Sequence, residues 1–183
     1  MRIKMMASGF WQRIRRSKDP EPRTMVLFQR RSYIFSEAEL RAAGERGWGK
    51  CFDGEEDPMY FVSHHPALTV VKAGPHIVRL THIASRYAED DEYALANLPQ
   101  IEQKKAWNEH HAIVLLELFN DFTNSEKRIH DKDAYASLAR LALHLGDPNC
   151  AAIFLPGKNW MLVNDGTAEE GLLMMIKKEL PLG

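Results

Sequence analysis

The sequence has few cysteines and no long hydrophobic run. Its two cysteines, Cys51 and Cys150, are too few for a disulfide framework, and 183 residues are enough to form a core without one. We therefore expect reduced thiols and a cytoplasmic location. Every apolar run is far shorter than the ~20 residues that span a bilayer, and none near the amino terminus is long enough for a secretory signal. The sequence predicts no transmembrane segment and no secretion.

A large net charge is also absent. With 24 basic and 25 acidic residues the net charge is −1, so the chain has no overall attraction to nucleic acid and we expect no such partner. Residues 1–24 nevertheless carry +5, which leaves −6 for the rest. The apolar residues of this segment recur at helical spacing, at Ile3, Met6, Phe10 and Ile14. We predict a basic amphipathic extension and a proline-containing linker over residues 1–23, which is either a loosely packed terminus, the favoured alternative, or a segment that contacts an anionic surface through Arg13, Arg15 and Arg16.

The signatures of several kinds of site are missing as well. The chain has no His-x-x-x-His, His-Glu-x-x-His or Cys-x-x-Cys spacing, which disfavours a metal site built on a sequence motif. It has no G-x-G-x-x-G or Walker sequence, which disfavours a standard nucleotide site. We therefore expect neither a metal nor a cofactor.

Regular strand and helix patterns begin at residue 24. Residues 24–28 form a short apolar run of strand length. Ser36 and Glu39 then have the spacing of a capping box, which opens a helix that we expect to end at Gly44 or Gly47.

Three apolar segments and a helical linker follow. The segments are residues 58–63, 67–72 and 76–83, of which the last two form a predicted hairpin. Pro66 breaks the hydrogen-bond ladder between the first two, so we expect these to be one bent or edge strand. Residues 86–110 predict two short helices divided near Pro99.

The second half of the pattern begins with the strongest strand. Residues 111–119 are apolar on both faces, which is typical of a central strand. The elements after it are a helix capped by Asp131 or Asp133, strands at 150–155 and 160–163, and a last helix opened by a capping box at Thr167 and Glu170.

The order of these elements predicts the fold class. Both halves are βαββ-like, and their helices are placed to cover one face of a sheet. We therefore predict that residues 24–183 form a single α+β domain, with a mixed sheet and helices mainly on one face, as in a ferredoxin-like sandwich. Such sheets carry many different functions, so the fold does not select one.

A tryptophan and paired histidines precede the central strand, in the sequence Ala106-Trp107-x-x-His110-His111-Ala112. A helix and an Ala-Ala-Ile-Phe strand follow it. In this order of elements, over residues 24–163, the chain resembles an uncharacterised bacterial domain-of-unknown-function family. The resemblance implies no activity, and it suggests only that His110 is important.

Histidines supply the candidate catalytic groups. The pairs His64-His65 and His110-His111 stand at strand ends, and histidine is the side chain that most often serves as a general base near neutral pH. Adjacent strand residues point to opposite faces, so at most one member of each pair serves a given site. Our candidates are His65, His110 and His111, with Glu117 as a neighbouring carboxylate.

One sheet face carries the candidate binding residues. If alternate residues of the central strand face the helices, Glu117 lies on the opposite face with Ile113 and Leu115, beside Arg79 of the hairpin. We expect an Arg79–Glu117 ion pair there or a polar rim around a ligand. Trp107 adds an aromatic binding surface. The apolar residues of this face need a cover, which the amino-terminal helix, the linker helices, a second subunit or a protein partner would provide.

Three functions fit these observations. The first is a non-catalytic binding or protein-interaction module, which is favoured because the structural patterns are strong and the chemical ones are weak. The second is a small hydrolase-like enzyme that uses His110 or His111 with Glu117 or His65, which requires these groups to converge. The third is a membrane-surface or nucleic-acid adaptor that binds through the basic amino terminus.

Overall fold

The computed structural model describes residues 23–52, 60–65, 68–73, 76–87, 91–120 and 129–179. Apart from Arg23, the basic extension predicted over residues 1–23 lies outside these ranges, and so do its arginines Arg13, Arg15 and Arg16. None of the described helices is both long enough and apolar enough to cross a membrane.

The described residues form seven strands and five α-helices. The strands are β1 (Arg23–Gln29), β2 (Tyr60–His64), β3 (Leu68–Ala73), β4 (His76–Ile83), β5 (Ala112–Asn120), β6 (Cys150–Leu155) and β7 (Trp160–Val163). The helices are α1 (Glu37–Trp48), α2 (Asp91–Asn97), α3 (Ile101–Glu109), α4 (Asp131–Leu145) and α5 (Thr167–Ile176). A single 3₁₀ turn, Pro156–Lys158, joins β6 to β7.

The strands form one sheet in the order β2-β3-β4-β5-β1-β6-β7. The α+β class is confirmed, and β5 is the central strand as predicted. The predicted mixed sheet is wrong, because every described strand pair is antiparallel. The reason is the position of β1. Strands β5 and β6 run in the same direction and are joined through α4, but β1 lies between them and pairs with both, so this crossover creates no parallel pair.

The prediction of one bent strand around Pro66 is also wrong. Strands β2 and β3 are separate and antiparallel, with Val62 opposite Val71, and β2 lies at the edge of the sheet. The backbones of His65 and Leu68 close the turn between them with two hydrogen bonds of 3.0 and 3.1 Å. The first half is therefore βαβββ, and the two halves are not equivalent.

The start of α1 is as predicted and its end is close. The Ser36 hydroxyl accepts from the Glu39 amide while the Glu39 carboxylate accepts from the Ser36 amide, which completes the capping box. The helix continues to Trp48, and Gly49 ends it with a left-handed φ of 62°. The capping box predicted for α5 does not form, because Gly166 occupies the N-cap position.

The start of α4 differs from the prediction. His130 occupies the N-cap position, and its side chain makes no capping bond. The two carboxylates predicted as caps are instead inside the first turn, where they bind side chains of other elements. Asp131 accepts from Arg23 at 2.9 Å, and Asp133 pairs with Lys178.

Helices cover both faces of the sheet, with the larger layer on one of them. Helices α1, α4 and α5 pack on the face that includes Leu27, Leu80 and Leu116. The linker helices α2 and α3 cover part of the other face, where Phe28 and Leu115 lie. The predicted alternation along β5 is therefore confirmed, and one of the predicted covers of the second face is the helical linker.

Candidate functional site

The structure places His110 and Trp107 together in a buried aromatic cluster. His110 is 0 % exposed and its ring stacks on Phe28 with centroids 4.4 Å apart. Its Nδ1 contacts the carbonyl oxygen of Trp107, and its Nε2 accepts the amide of Tyr87 at 3.1 Å. Because a carbonyl only accepts, these contacts assign the ring proton to Nδ1. Both ring nitrogens of His110 are thus used inside the protein.

Arg79 and Glu117 form the ion pair that the sequence suggested. They face each other in β4 and β5, and Arg79 Nε and Nη2 lie 2.9 and 2.7 Å from the same Glu117 oxygen, Oε2. Glu117 is 5 % exposed, whereas the Arg79 side chain remains 41 % exposed. The pair ties the two strands together on the face opposite to the main helix layer.

The predicted catalytic residues do not converge. His111 is exposed and lies six residues before Glu117 in the chain, or about 20 Å along the strand. His65 is exposed at the end of β2, the edge strand. Three strand spacings separate β2 from β5, which places His65 about 14 Å from the strand that carries Glu117. The structure therefore brings Trp107 to His110 and Arg79 to Glu117, and it keeps these two pairs and the other two histidines apart.

A different set of side chains lines an open cleft of about 500 Å³. The cleft lies on the main helix side, between the first half of α4, the end of α1, the end of α5 and the start of β4. Its polar and aromatic lining comes from Trp48, His76, His130, Asp133, Arg140 and Lys178. Its volume is in the range of small-molecule sites, which is about 300–1,000 Å³.

Asp133 and Lys178 neutralise each other in this cleft. Lys178 Nζ contacts Asp133 Oδ1, and this hydrogen bond lowers the pKa of the Asp133 carboxyl. Lys178 follows α5 with a left-handed φ of 60°, which costs about 1–2 kcal/mol for a residue other than glycine. The cleft therefore contains one carboxylate whose charge is already balanced.

Arg140 contributes a positive charge to this cleft. Its Nη1 donates to the carbonyl oxygen of Gly47 at 2.8 Å, which joins α4 to the end of α1. Among the described residues Arg140 has no carboxylate partner. Gly47 permits this close approach, because a Cβ atom there would lie 2.9 Å from the carbonyl oxygen of Arg140.

His76 adds a polar atom without a partner. Its Nδ1 is buried and has no hydrogen bond within the part of the chain that the structure describes. Burial lowers the pKa of His76, and the nearby carboxylate of Asp133 opposes part of this shift. At neutral pH the ring is therefore uncharged, with one nitrogen that needs a partner.

Ser137 lines the same cleft, but its hydroxyl is already used. Ser137 Oγ donates to the carbonyl oxygen of Asp133, one turn earlier in α4, at 2.9 Å. The hydroxyl of an activated serine nucleophile donates to a base such as histidine instead. The geometry thus supports binding in this cleft more than nucleophilic catalysis.

Two further observations concern metal binding and related proteins. Among the described residues no three His, Cys, Asp or Glu side chains are placed to hold a metal ion, so His76, His130 and Asp133 do not form such a group. Comparison of the chain with family models, curated proteins and solved structures found no match. The family resemblance noted from the sequence therefore stays a prediction.

The sequence contains a pattern that indicates this cleft and does not involve the histidine pairs. Asp133, Ala136, Ser137 and Arg140 are spaced by three and four residues, so they lie on one face of α4. Polar groups on a helix that is otherwise largely buried indicate a cleft or a solvent-facing edge. The contribution of His76 has no such signal, because the sheet alone brings β4 next to this helix.

Proposed function

We propose that the protein is a non-catalytic binding module that holds a small organic anion in the cleft lined by His76 and Arg140. One observation carries the proposal: within the described ranges, an arginine without a carboxylate partner and a buried imidazole nitrogen without a hydrogen bond line the same concave surface. Arg140 is a donor, and Nδ1 of His76 is one too when it carries a proton, so an anionic oxygen can accept from both groups.

The walls of the cleft favour an anion that also has an apolar part. Trp48, Ile129 and Ile176 contribute apolar surface beside the charged groups. A pocket of this kind binds the apolar body of a ligand by burial and fixes its orientation through a few polar contacts. The ligand class is therefore an organic carboxylate or phosphate ester with an aromatic or aliphatic group.

The test measures binding of benzoate and phenyl phosphate to the full chain by NMR and calorimetry. Benzamide is the control, because it is the uncharged analogue of benzoate. We expect both anions to shift the signals of Trp48 and Arg140, and benzamide to bind at least tenfold more weakly. Equal binding of benzoate and benzamide would contradict the proposal.

Matched arginine variants give the control. Arg140→Gln removes the charge in the cleft, and we expect at least a tenfold loss of anion affinity. Arg41→Gln is the comparison, because Arg41 is also half-buried on a helix and its Nη1 donates to a backbone carbonyl, that of Phe52, at 2.9 Å. An equal effect of the two variants would show that the cleft is not the binding site.

The pH dependence of binding provides a second readout. The pKa of His76 is low in the free protein, and a bound anion stabilises the protonated ring, so the anion raises this pKa. Binding therefore takes up a proton, and affinity increases as the pH falls from neutral towards the pKa of free His76. We expect His76→Gln to remove this dependence.

The other sequence-based functions have less support. A hydrolase centred on His110 requires that residue to give up its contacts with Trp107 and Tyr87. A protein partner over the face that carries Arg79 and Glu117 remains a prediction, and so do the cytoplasmic location and the bacterial origin. Binding to an anionic surface through the basic extension also remains a prediction, since that segment lies outside the described residues.

We also propose that the sheet is an enlarged ferredoxin-like one. Two crossovers support this: β1 and β2 run in the same direction and are joined through α1, and β5 and β6 do so through α4. Each crossover passes over at least one antiparallel strand, as in a split βαβ unit. In this interpretation β3, β4 and β7 are added strands. Cross-strand NMR contacts that gave a different strand order would contradict it.

A further inference from the structure

His82, near the other end of β4 from the cleft, is held in one tautomer. Its Nδ1 lies 3.1 Å from the carbonyl oxygen of Tyr33, and because a carbonyl only accepts, Nδ1 carries the proton. Its Nε2 is buried and has no hydrogen bond among the described residues. The ring of Phe35 lies against it, with centroids 5.8 Å apart.

This contact holds the segment of residues 30–35, which connects β1 to α1. Its start is fixed by Asn149, which exchanges two hydrogen bonds with the backbone of Arg31. Beyond its end, Ser36 begins the capping box of α1. Within the described part of the chain, the bond from His82 is the one hydrogen bond that ties the main chain of residues 32–35 to another element.

We propose that His82 is a pH-sensitive latch, and that protonation of its ring releases residues 32–35 of this segment from the sheet. A protonated ring has a proton on each nitrogen. The proton on Nε2 would be a buried donor without an acceptor, next to the apolar ring of Phe35. Movement of the segment exposes the ring to water and satisfies this donor. The latch is independent of any ligand in the cleft.

Among the described residues, the charged groups around His82 do not stabilise its protonated form. From β2, His64 faces it, with its own Nδ1 3.0 Å from the Thr69 hydroxyl, and a proton on His64 repels one on His82. From the segment and α1, the Tyr33 hydroxyl and the Glu39 carboxylate bind each other. Burial lowers the pKa of His82, the Tyr33 carbonyl opposes this, and His64 lowers it further.

The direction of the pH effect follows from linkage. With the segment closed, the pKa of His82 is below the ordinary value of 6.5, and with the segment open the ring is in water and returns to that value. The open state therefore binds the proton first as the pH falls. Above pH 6.5 the fraction of molecules with an open segment does not change with pH. Below pH 6.5 this fraction increases by up to about tenfold per pH unit, until His82 also becomes protonated in the closed state.

The test is an NMR titration of the full chain from about pH 8 to about pH 5. We expect the His82 ring to carry its proton on Nδ1 at the start. As the pH falls below 6.5, the amide signals of residues 32–35 should shift or broaden with the same midpoint as the His82 ring. If these amides stay unchanged while the ring titrates, the proposal is wrong.

Two variants distinguish the latch from a general effect of acid. His82→Asn places an amide donor where Nδ1 donates and cannot titrate, so the 30–35 segment should stay closed at every pH tested. His144→Asn is the matched control, because burial also lowers the pKa of His144, which lies in the last turn of α4. The control should keep the wild-type response. Identical titrations of wild type and His82→Asn would overturn the proposal.

A metal ion is the competing explanation for an unpartnered imidazole nitrogen. No group of three metal-ligating side chains exists among the described residues. We therefore expect Zn²⁺ at about pH 8 to leave the His82 ring signals unchanged. A zinc-dependent shift of that ring would identify a ligand role and overturn the latch.

Discussion

The neighbouring histidines His110 and His111 give a direct test of the contacts around the aromatic cluster. His110→Ala removes a ring that is stacked on Phe28 and bonded to Trp107 and Tyr87, whereas His111 is exposed. The two residues are adjacent in the chain, so the pair of variants compares burial and bonding at nearly constant sequence position.

The magnitude follows from what each ring contacts. The Tyr87 amide loses its acceptor, at a cost of about 1–3 kcal/mol, whereas the Trp107 carbonyl oxygen keeps its bond from Arg86, so the second lost bond costs about 0.5–1.5 kcal/mol. The contact with Phe28 adds about 0.5–1.5 kcal/mol. We therefore expect His110→Ala to lower the free energy of unfolding by about 2–6 kcal/mol. We expect His111→Ala to change it by less than about 0.5 kcal/mol, because the backbone amide that donates to Gln29 is retained.

The assay is denaturant unfolding of both variants near pH 8, where exposed histidines are neutral. If His110→Ala does not fold, His110→Gln should fold with a smaller loss, since its amide replaces one of the two hydrogen bonds. Equal effects of the His110 and His111 variants would refute the structural role that we assign to His110. So would a loss below about 1 kcal/mol for His110→Ala, which is the cost of little more than one neutral hydrogen bond.

Three further predictions concern stability and are checked by the same unfolding assay. Leu116→Ala, in the central strand, should cost about 2–5 kcal/mol, whereas Leu173→Ala, at a position 38 % exposed, should cost less than about 1 kcal/mol; similar values would contradict the central packing of β5. Gly47→Ala should destabilise by about 1–3 kcal/mol, because its Cβ would lie 2.9 Å from a backbone oxygen of α4, and a stabilised variant would refute this close contact. Arg79→Met should lower the free energy of unfolding by about 1–2 kcal/mol, which is less than for a fully buried ion pair because water still reaches the arginine. A double-mutant cycle with Glu117→Gln should give a coupling energy clearly different from zero, and a coupling close to zero would contradict the ion pair.

Much of the local structure is predictable from the sequence because it depends on near neighbours. The strands β6 and β7 have the predicted bounds, and the capping box of Ser36 and Glu39 forms as its spacing indicates. The Arg79–Glu117 pair is also anticipated, since a period of two places both residues on the same face. Local hydrogen bonds and side-chain alternation fix these features.

The predicted caps of α4 show where local patterns are insufficient. Asp131 and Asp133 have the right chemistry for an N-cap, yet each binds a cation from a distant part of the chain, Arg23 and Lys178. Both carboxylates lie in the first turn of α4, held by ion pairs rather than by capping bonds, and His130 takes the N-cap position.

Periodicity and turn residues act over short distances, so the sequence was enough to predict the element types, the α+β class, the central position of β5 and the alternation of its faces. Strand pairing was decided only in the tertiary structure, where β1 inserts between β5 and β6 and makes the sheet antiparallel. The cleft was decided there too, since His76, Arg140 and Lys178 come from three elements whose contact depends on the packing of the helices on the sheet. Residues far apart in the chain meet through the burial of apolar surface, which has no direction of its own and leaves no fixed spacing in the sequence.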